Sequence, residues 1–144
     1  MVVLSEQDFA QYMLSEIGEP VECFEPFAFH NTDGDCIEFF ISDRRYYGKR
    51  IDEFLTLYLD METGDIVGSV IKNIRYLCKI LSENCTSISI IVQDHKLLLQ
   101  HLFQRKAESL EKESVENTVV AGVYRRLAEI AAEKQIEPVN ILSV

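Results

Sequence analysis

Between Cys36 and Ile71 the chain reads as strands, and this run limits the fold more than any other feature. "CIEFFIS" and "FLTLYLD" are rich in β-branched and aromatic residues and alternate with period two where polar residues intervene. In the second run Phe54, Thr56 and Tyr58 fall on one face; Leu55, Leu57 and Leu59 fall on the other. "DMETGD" is a turn, with Gly64 suited to the left-handed region, and "DIVGSVI" continues as a third strand. The three pieces predict an antiparallel meander.

Helical spacing frames this sheet. Ser5 caps a segment carrying Phe9, Met13 and Ile17, which Gly18 ends. The Pro20 and Pro26 segment that follows is extended or looped. Ile71, Ile74, Leu77, Cys78 and Leu81 predict a helix over about 71–82, and "SISIIVQ" reads as a short buried strand. Asp94 is placed to cap a helix bearing Leu98, Leu99, Leu102, Phe103 and Leu110. After a break at "ESLEKES", Val119, Val123, Leu127 and Ile130 form the stripe of a last helix that ends before Pro138. The apolar tail "VNILSV" is expected to dock on its own domain.

The predicted fold is therefore α+β: an N-terminal helix, a three- to four-stranded, mainly antiparallel meander, and C-terminal amphipathic helices packed on one face. At 144 residues one domain is expected, with an acidic part at 1–35, a sheet with one helix at 36–92, and helices with the tail at 93–144.

Charge is distributed unevenly. Eight of the 24 acids lie in residues 1–35, which contain no Lys or Arg, leaving 16 acids against all 14 bases elsewhere. The overall balance of −10 argues against bulk affinity for a phosphate backbone. The N-terminus has no basic residues and too short an apolar stretch for a signal peptide, and no apolar run reaches the ~18 residues of a membrane span. A cytoplasmic protein without membrane contact is expected. Cys23, Cys36, Cys78 and Cys85 form no C-x-x-C pair and read as buried free thiols.

Two stretches are candidate sites. "HNTDGDCIEFF" gathers His30, Asp33, Asp35 and Glu38, the residue types of an acid–base or divalent-metal site. Its glycine precedes Asp35, and Ser42 stands where an EF-hand needs glutamate, so a turn explains it better. "SDRRYYGKRIDEF" sets Arg44, Arg45, Lys49 and Arg50 around Tyr46 and Tyr47, a pattern that grips phosphates and stacks bases, or forms a solvated hairpin tip or a protein contact. His95 and His101 lack the i, i+4 spacing of a zinc helix, and no phosphate- or dinucleotide-binding fingerprint occurs. No cofactor and no metal ligand set is implied. Arg125 and Arg126 are expected to pair with Glu129.

The span from Asp33 to Asn73 resembles a short bacterial domain family of unknown function. There an acidic turn precedes an apolar strand, and an Asp-x-x-Gly-x-Ile-Val-Gly strand closes the unit. The corresponding pieces here are "DGDCIEFFIS", "LTLYLD" and "TGDIVGSVI". The resemblance covers less than a third of the chain, and Ser69-Val70 departs from the family's apolar–acidic pair. It implies a small sheet paired between subunits, and no activity.

These readings favour a non-catalytic interaction or regulatory protein acting as a homodimer through its C-terminal helices or the sheet edge. Another protein is a further expected partner. The alternatives are a metal-dependent enzyme using His30, Asp33, Asp35 and Glu38, and nucleic-acid binding through Arg44 to Arg50.

Overall fold

The computed structural model describes residues 24–84, 92–93 and 96–141. The expected N-terminal helix lies outside the described residues, as do Asp94 and most of "SISIIVQ". Within them the fold is α+β, a five-stranded antiparallel sheet with three helices.

The sheet comprises β1 (Phe27–Asn31), β2 (Cys36–Phe40), β3 (Tyr46–Arg50), β4 (Leu55–Asp60) and β5 (Ile66–Ile71), in the order β1-β2-β5-β4-β3. This corrects the expected meander. Strands β3, β4 and β5 are joined by hairpins, but β2 lies beside β5, giving a Greek-key arrangement. Three strand spacings of ~4.8 Å, about 14 Å, separate β2 from β3. The connecting residues 41–45, able to reach roughly 17 Å when extended, suffice to cross. Ile41 starts the crossing while still tied to β5, donating its N–H to Val67 O at 2.8 Å.

The "DMETGD" turn forms as its chemistry requires. Gly64 takes φ +75°, Gly64 N–H donates to Asp60 O at 2.9 Å, and Asp60 Oδ1 accepts the Glu62 N–H at 2.8 Å. "YYGKR" is not a hairpin tip. It is the whole of edge strand β3, all five residues are exposed, and the tip falls at 51–54. Lys49 and Arg50 on this edge discourage further strand addition.

Helix α1 (Ile74–Asn84) begins under Asp35, whose carbonyl accepts the Ile74 N–H and whose Oδ2 accepts the Arg75 N–H, both at 3.1 Å. Helices α2 (Leu99–Glu113) and α3 (Thr118–Glu133) form an antiparallel pair. They are joined through extended Ser114 and a 3-10 turn at Val115–Asn117. The break expected near "ESLEKES" thus falls at Ser114. Leu98, not Asp94, stands at the head of α2, and it offers no side-chain cap.

The buried stripe of α3 is Ala121, Tyr124, Leu127, Ile130 and Ala131. Val119, expected on it, is 80% exposed. The stripe centres on Tyr124 because its phenol reaches Asp52, at 3.0 and 2.9 Å from the two carboxylate oxygens. Arg126 pairs with Glu129 at 3.2 Å as expected. Arg125 instead crosses to α2, where Glu111 accepts two bonds at 2.8 and 2.7 Å.

One apolar cluster joins Ile37, Phe39, Leu55, Leu57 and Ile71 of the sheet to residues from all three helices. Lys106 is buried in this layer, its amine 4.7 Å above the Phe54 ring. The first half of the tail, 139–141, docks on its own chain, and 142–144 lie outside the described residues. β8 (Val139–Asn140) pairs with β7 (Lys96–Leu97), which pairs with β6 (Val92–Gln93), and Val139 and Ile141 are buried.

Candidate functional site

The first candidate cluster divides between the two faces of the sheet. His30 pairs in register with Ile37, so its ring turns toward the helices, where the side chain is 1% exposed. Its Nε2 lies 2.9 Å from Asp35 Oδ1, while Nδ1 is buried without a partner. Asp35, at φ +47°, uses its other oxygen to cap α1. The pair therefore fastens the β1–β2 turn to a helix. Asp33 is exposed in that turn, its N–H donating to Asn31 Oδ1 at 3.1 Å. Glu38 lies on the opposite face and accepts the Tyr58 hydroxyl at 3.1 Å. Among the described residues, no group of three or more His, Cys, Asp or Glu is placed to hold a metal ion.

The second candidate is split by strand alternation. Tyr46, Gly48 and Arg50 face away from the helices; Tyr47 and Lys49 face the other way. Arg44 is held by buried Asp60 at 3.1 Å. The Asp60 carboxyl is kept below its ordinary value of 3.8, first by the Glu62 N–H and also by the Arg44 guanidinium, against the effect of burial. Ser42, Asp43, Arg44, Arg45, Tyr46 and Met61 line a cleft of about 610 Å³, closed on its other side by Phe24, Phe27 and Phe40.

The face turned away from the helices carries a feature that local sequence reading does not reveal. Among the described residues no helix packs against it. Register places Phe27, Phe40, Gly68, Tyr58 and Gly48 in one row across all five strands. The adjacent row is Phe29, Glu38, Val70, Thr56 and Arg50. Ring centroids run from Phe27 to Phe40 at 5.6 Å, Phe40 to Tyr58 at 5.5 Å and Tyr58 to Tyr46 at 4.4 Å. Phe40 and Tyr58 stand on strands either side of β5, and they meet because Gly68 between them has no side chain. At Gly48 an added Cβ would meet the Thr56 methyl at 3.2 Å. Phe27, Phe29 and Tyr46 are 43%, 40% and 42% exposed. The signals that could have located this surface are the two mid-strand glycines, which mark close approach.

Burial, then the Glu38 carboxylate, raises the Tyr58 phenol, and burial with Asp52 does the same to Tyr124. Burial likewise pushes the Cys78 thiol up to about 11 and raises Cys36, so neither is a ready thiolate. A phenol raised in the folded state adds stability that is complete below its ordinary value of 10.0 and is lost as pH climbs toward the raised value. Tyr58 and Tyr124 should therefore ionise together with alkaline unfolding and not before it. A phenolate absorbance titration run beside circular dichroism checks this; all six tyrosines titrating before unfolding would contradict it.

Comparison with protein-family models, curated proteins and solved structures finds no match.

Proposed function

We propose that this chain is a non-catalytic interaction protein whose binding surface is the face of the sheet turned away from the three helices of the described residues. The observation that carries this reading is the continuous row of rings from Phe27 to Tyr46, two-fifths exposed at both ends. Aromatic side chains offer large contact area at low entropic cost, and a cluster of them outside the core marks a surface that is covered in use. Glu38 in the adjacent row already accepts the Tyr58 hydroxyl, so the phenol is satisfied when water leaves. The enzyme alternative has less support, since His30 with Asp35 and Glu38 occupy opposite faces.

The β3 margin favours a second reading, nucleic-acid binding, in which Tyr46 stacks a base and Arg45 and Arg50 meet phosphates. Against it stand Asp60 on Arg44 and the neighbouring Asp43, Asp52 and Glu53. Such binding would weaken steeply with salt; equal retention of an oligonucleotide at low and moderate salt would dismiss it.

The test of the main reading is fluorescence of a hydrophobic dye with dilute protein. The double variant Phe27→Thr/Tyr46→Thr should bind the dye about tenfold more weakly. Its stability should fall by no more than about 2 kcal/mol, because threonine suits a strand and both rings are partly in water. Equal dye binding by wild type and variant would discard this face as the binding surface.

A further inference from the structure

Resting on that reading, the geometry points to a second copy of this chain as the occupant of the open face, the two sheets packed about a two-fold axis parallel to the strands. β5 is the central strand of five, so an axis along it lays β1 over the partner's β3 and β2 over its β4. Because that rotation preserves position along the strands, each row meets its own copy in reverse order. Phe27 then comes over the bare backbone of Gly48, and Phe40 comes over Tyr58. In the next row Phe29 meets Arg50 and Glu38 meets Thr56. Where β1 begins, exposed Glu25 reaches the margin that carries Arg44 and Arg45. Large side chains face small ones, rings face rings, and a guanidinium lies on an aromatic face.

The other self-complementary arrangement has its axis across the strands. It sets β3 over β3, bringing the outward-facing Arg50 of each copy over the same strand of the other while the β1 margins, each with exposed Glu25, meet each other. Like charges juxtaposed at an interface disfavour that pairing. Charge thus selects between the two axes, while the rings drive either.

Magnitudes set the expected strength. Five strands ~4.8 Å apart and five or six residues long at ~3.3 Å each make a face of roughly 24 by 18 Å. That is about 430 Å² per copy and roughly 860 Å² for the pair, under the ~1,000 Å² of a stable specific interface, so weak association, tens of micromolar and not nanomolar, is expected. The −10 charge of each copy opposes contact at low ionic strength, and at physiological salt a Debye length of ~8 Å removes most of that term.

Sedimentation equilibrium at physiological salt tests the arrangement with full-length wild type, Phe29→Arg, Arg50→Glu and the double variant, each checked for folding by thermal melting. Wild type should be partly dimeric at about 50 μM. Each single variant should weaken association about tenfold or more, by opposing two cations or by removing the cation from the ring. The double variant should recover most of that loss, because the axis along the strands pairs position 29 with position 50 of the other copy. A folded double variant as weak as the two single losses combined overturns this axis. A wild type monomeric at about 100 μM overturns the second copy altogether. The dye separates that failure from failure of the underlying reading. A monomer that still binds dye keeps the face as a binding surface for a different partner; a monomer that binds none removes both.

Discussion

Asp52→Ala is expected to lower stability by about 3–4 kcal/mol, more than any other single side-chain deletion outside the apolar cluster. The carboxylate occupies the β3–β4 turn, where Oδ1 accepts the N–H groups of Phe54 and Leu55 at 2.9 and 2.8 Å. Both its oxygens also receive the Tyr124 hydroxyl from α3. Tyr124 is 0% exposed, so deleting the acceptor leaves a phenol without water to replace it. Tyr124→Phe removes only the donor, leaves the turn capped, and should cost about 1–2 kcal/mol. In the double variant no buried hydroxyl remains, so its loss should be less than the sum of the two single losses. Urea unfolding with an unchanged m-value is the measurement. A midpoint for Asp52→Ala matching that of Tyr124→Phe would mean the turn does not depend on this carboxylate.

That latch shows where sequence reading reached and where it stopped. Strands β2, β4 and β5, the Gly64 turn, the helix near 74–84 and the break between the last two helices follow from periodicity and turn chemistry, which are local. Strand order is not local. Whether "CIEFFIS" pairs with "LTLYLD" or with "IVGSVI" depends on which neighbours best cover Ile37 and Phe39, and a five-residue connection permits either. β3 was hidden for another reason: Gly48 and four cations in seven residues resemble a turn, and its strand character comes from pairing with β4. Placing β3 at an edge separates Tyr46 from Tyr47 and divides one apparent basic–aromatic patch between two faces. Of the candidate His30, Asp33, Asp35 and Glu38, only His30 and Asp35 bond to each other, and their partner in space is the start of α1 rather than Glu38. The aromatic row required both strand order and register, and so became visible only in three dimensions.

Gly68→Ala is the other substitution with a large expected effect. A Cβ at this position would lie well inside van der Waals contact with the Phe39 carbonyl oxygen and 3.3 Å from both Phe39 C and Phe40 Cα. Every one of those atoms is backbone, so no rotamer change relieves the overlap; β2 must move away from β5. Overpacking of this kind costs about 3 kcal/mol or more when rigid backbone is the obstacle. The same shift would part Phe40 from Tyr58, so the variant should also lose dye binding and self-association, even at temperatures where it remains folded. Gly122→Ala in α3 is the natural control. Gly122 is exposed and nothing lies within 4 Å of an added Cβ, so helix propensity alone should raise stability by roughly 0.5–1 kcal/mol. Opposite signs for one methyl group at two glycines, read from melting midpoints of the two variants, would locate the constraint in the close approach of β2 to β5. If Gly68→Ala melts within a degree or two of wild type, the two strands are not held that tightly, and the stacking of Phe40 on Tyr58 over a bare backbone loses its explanation.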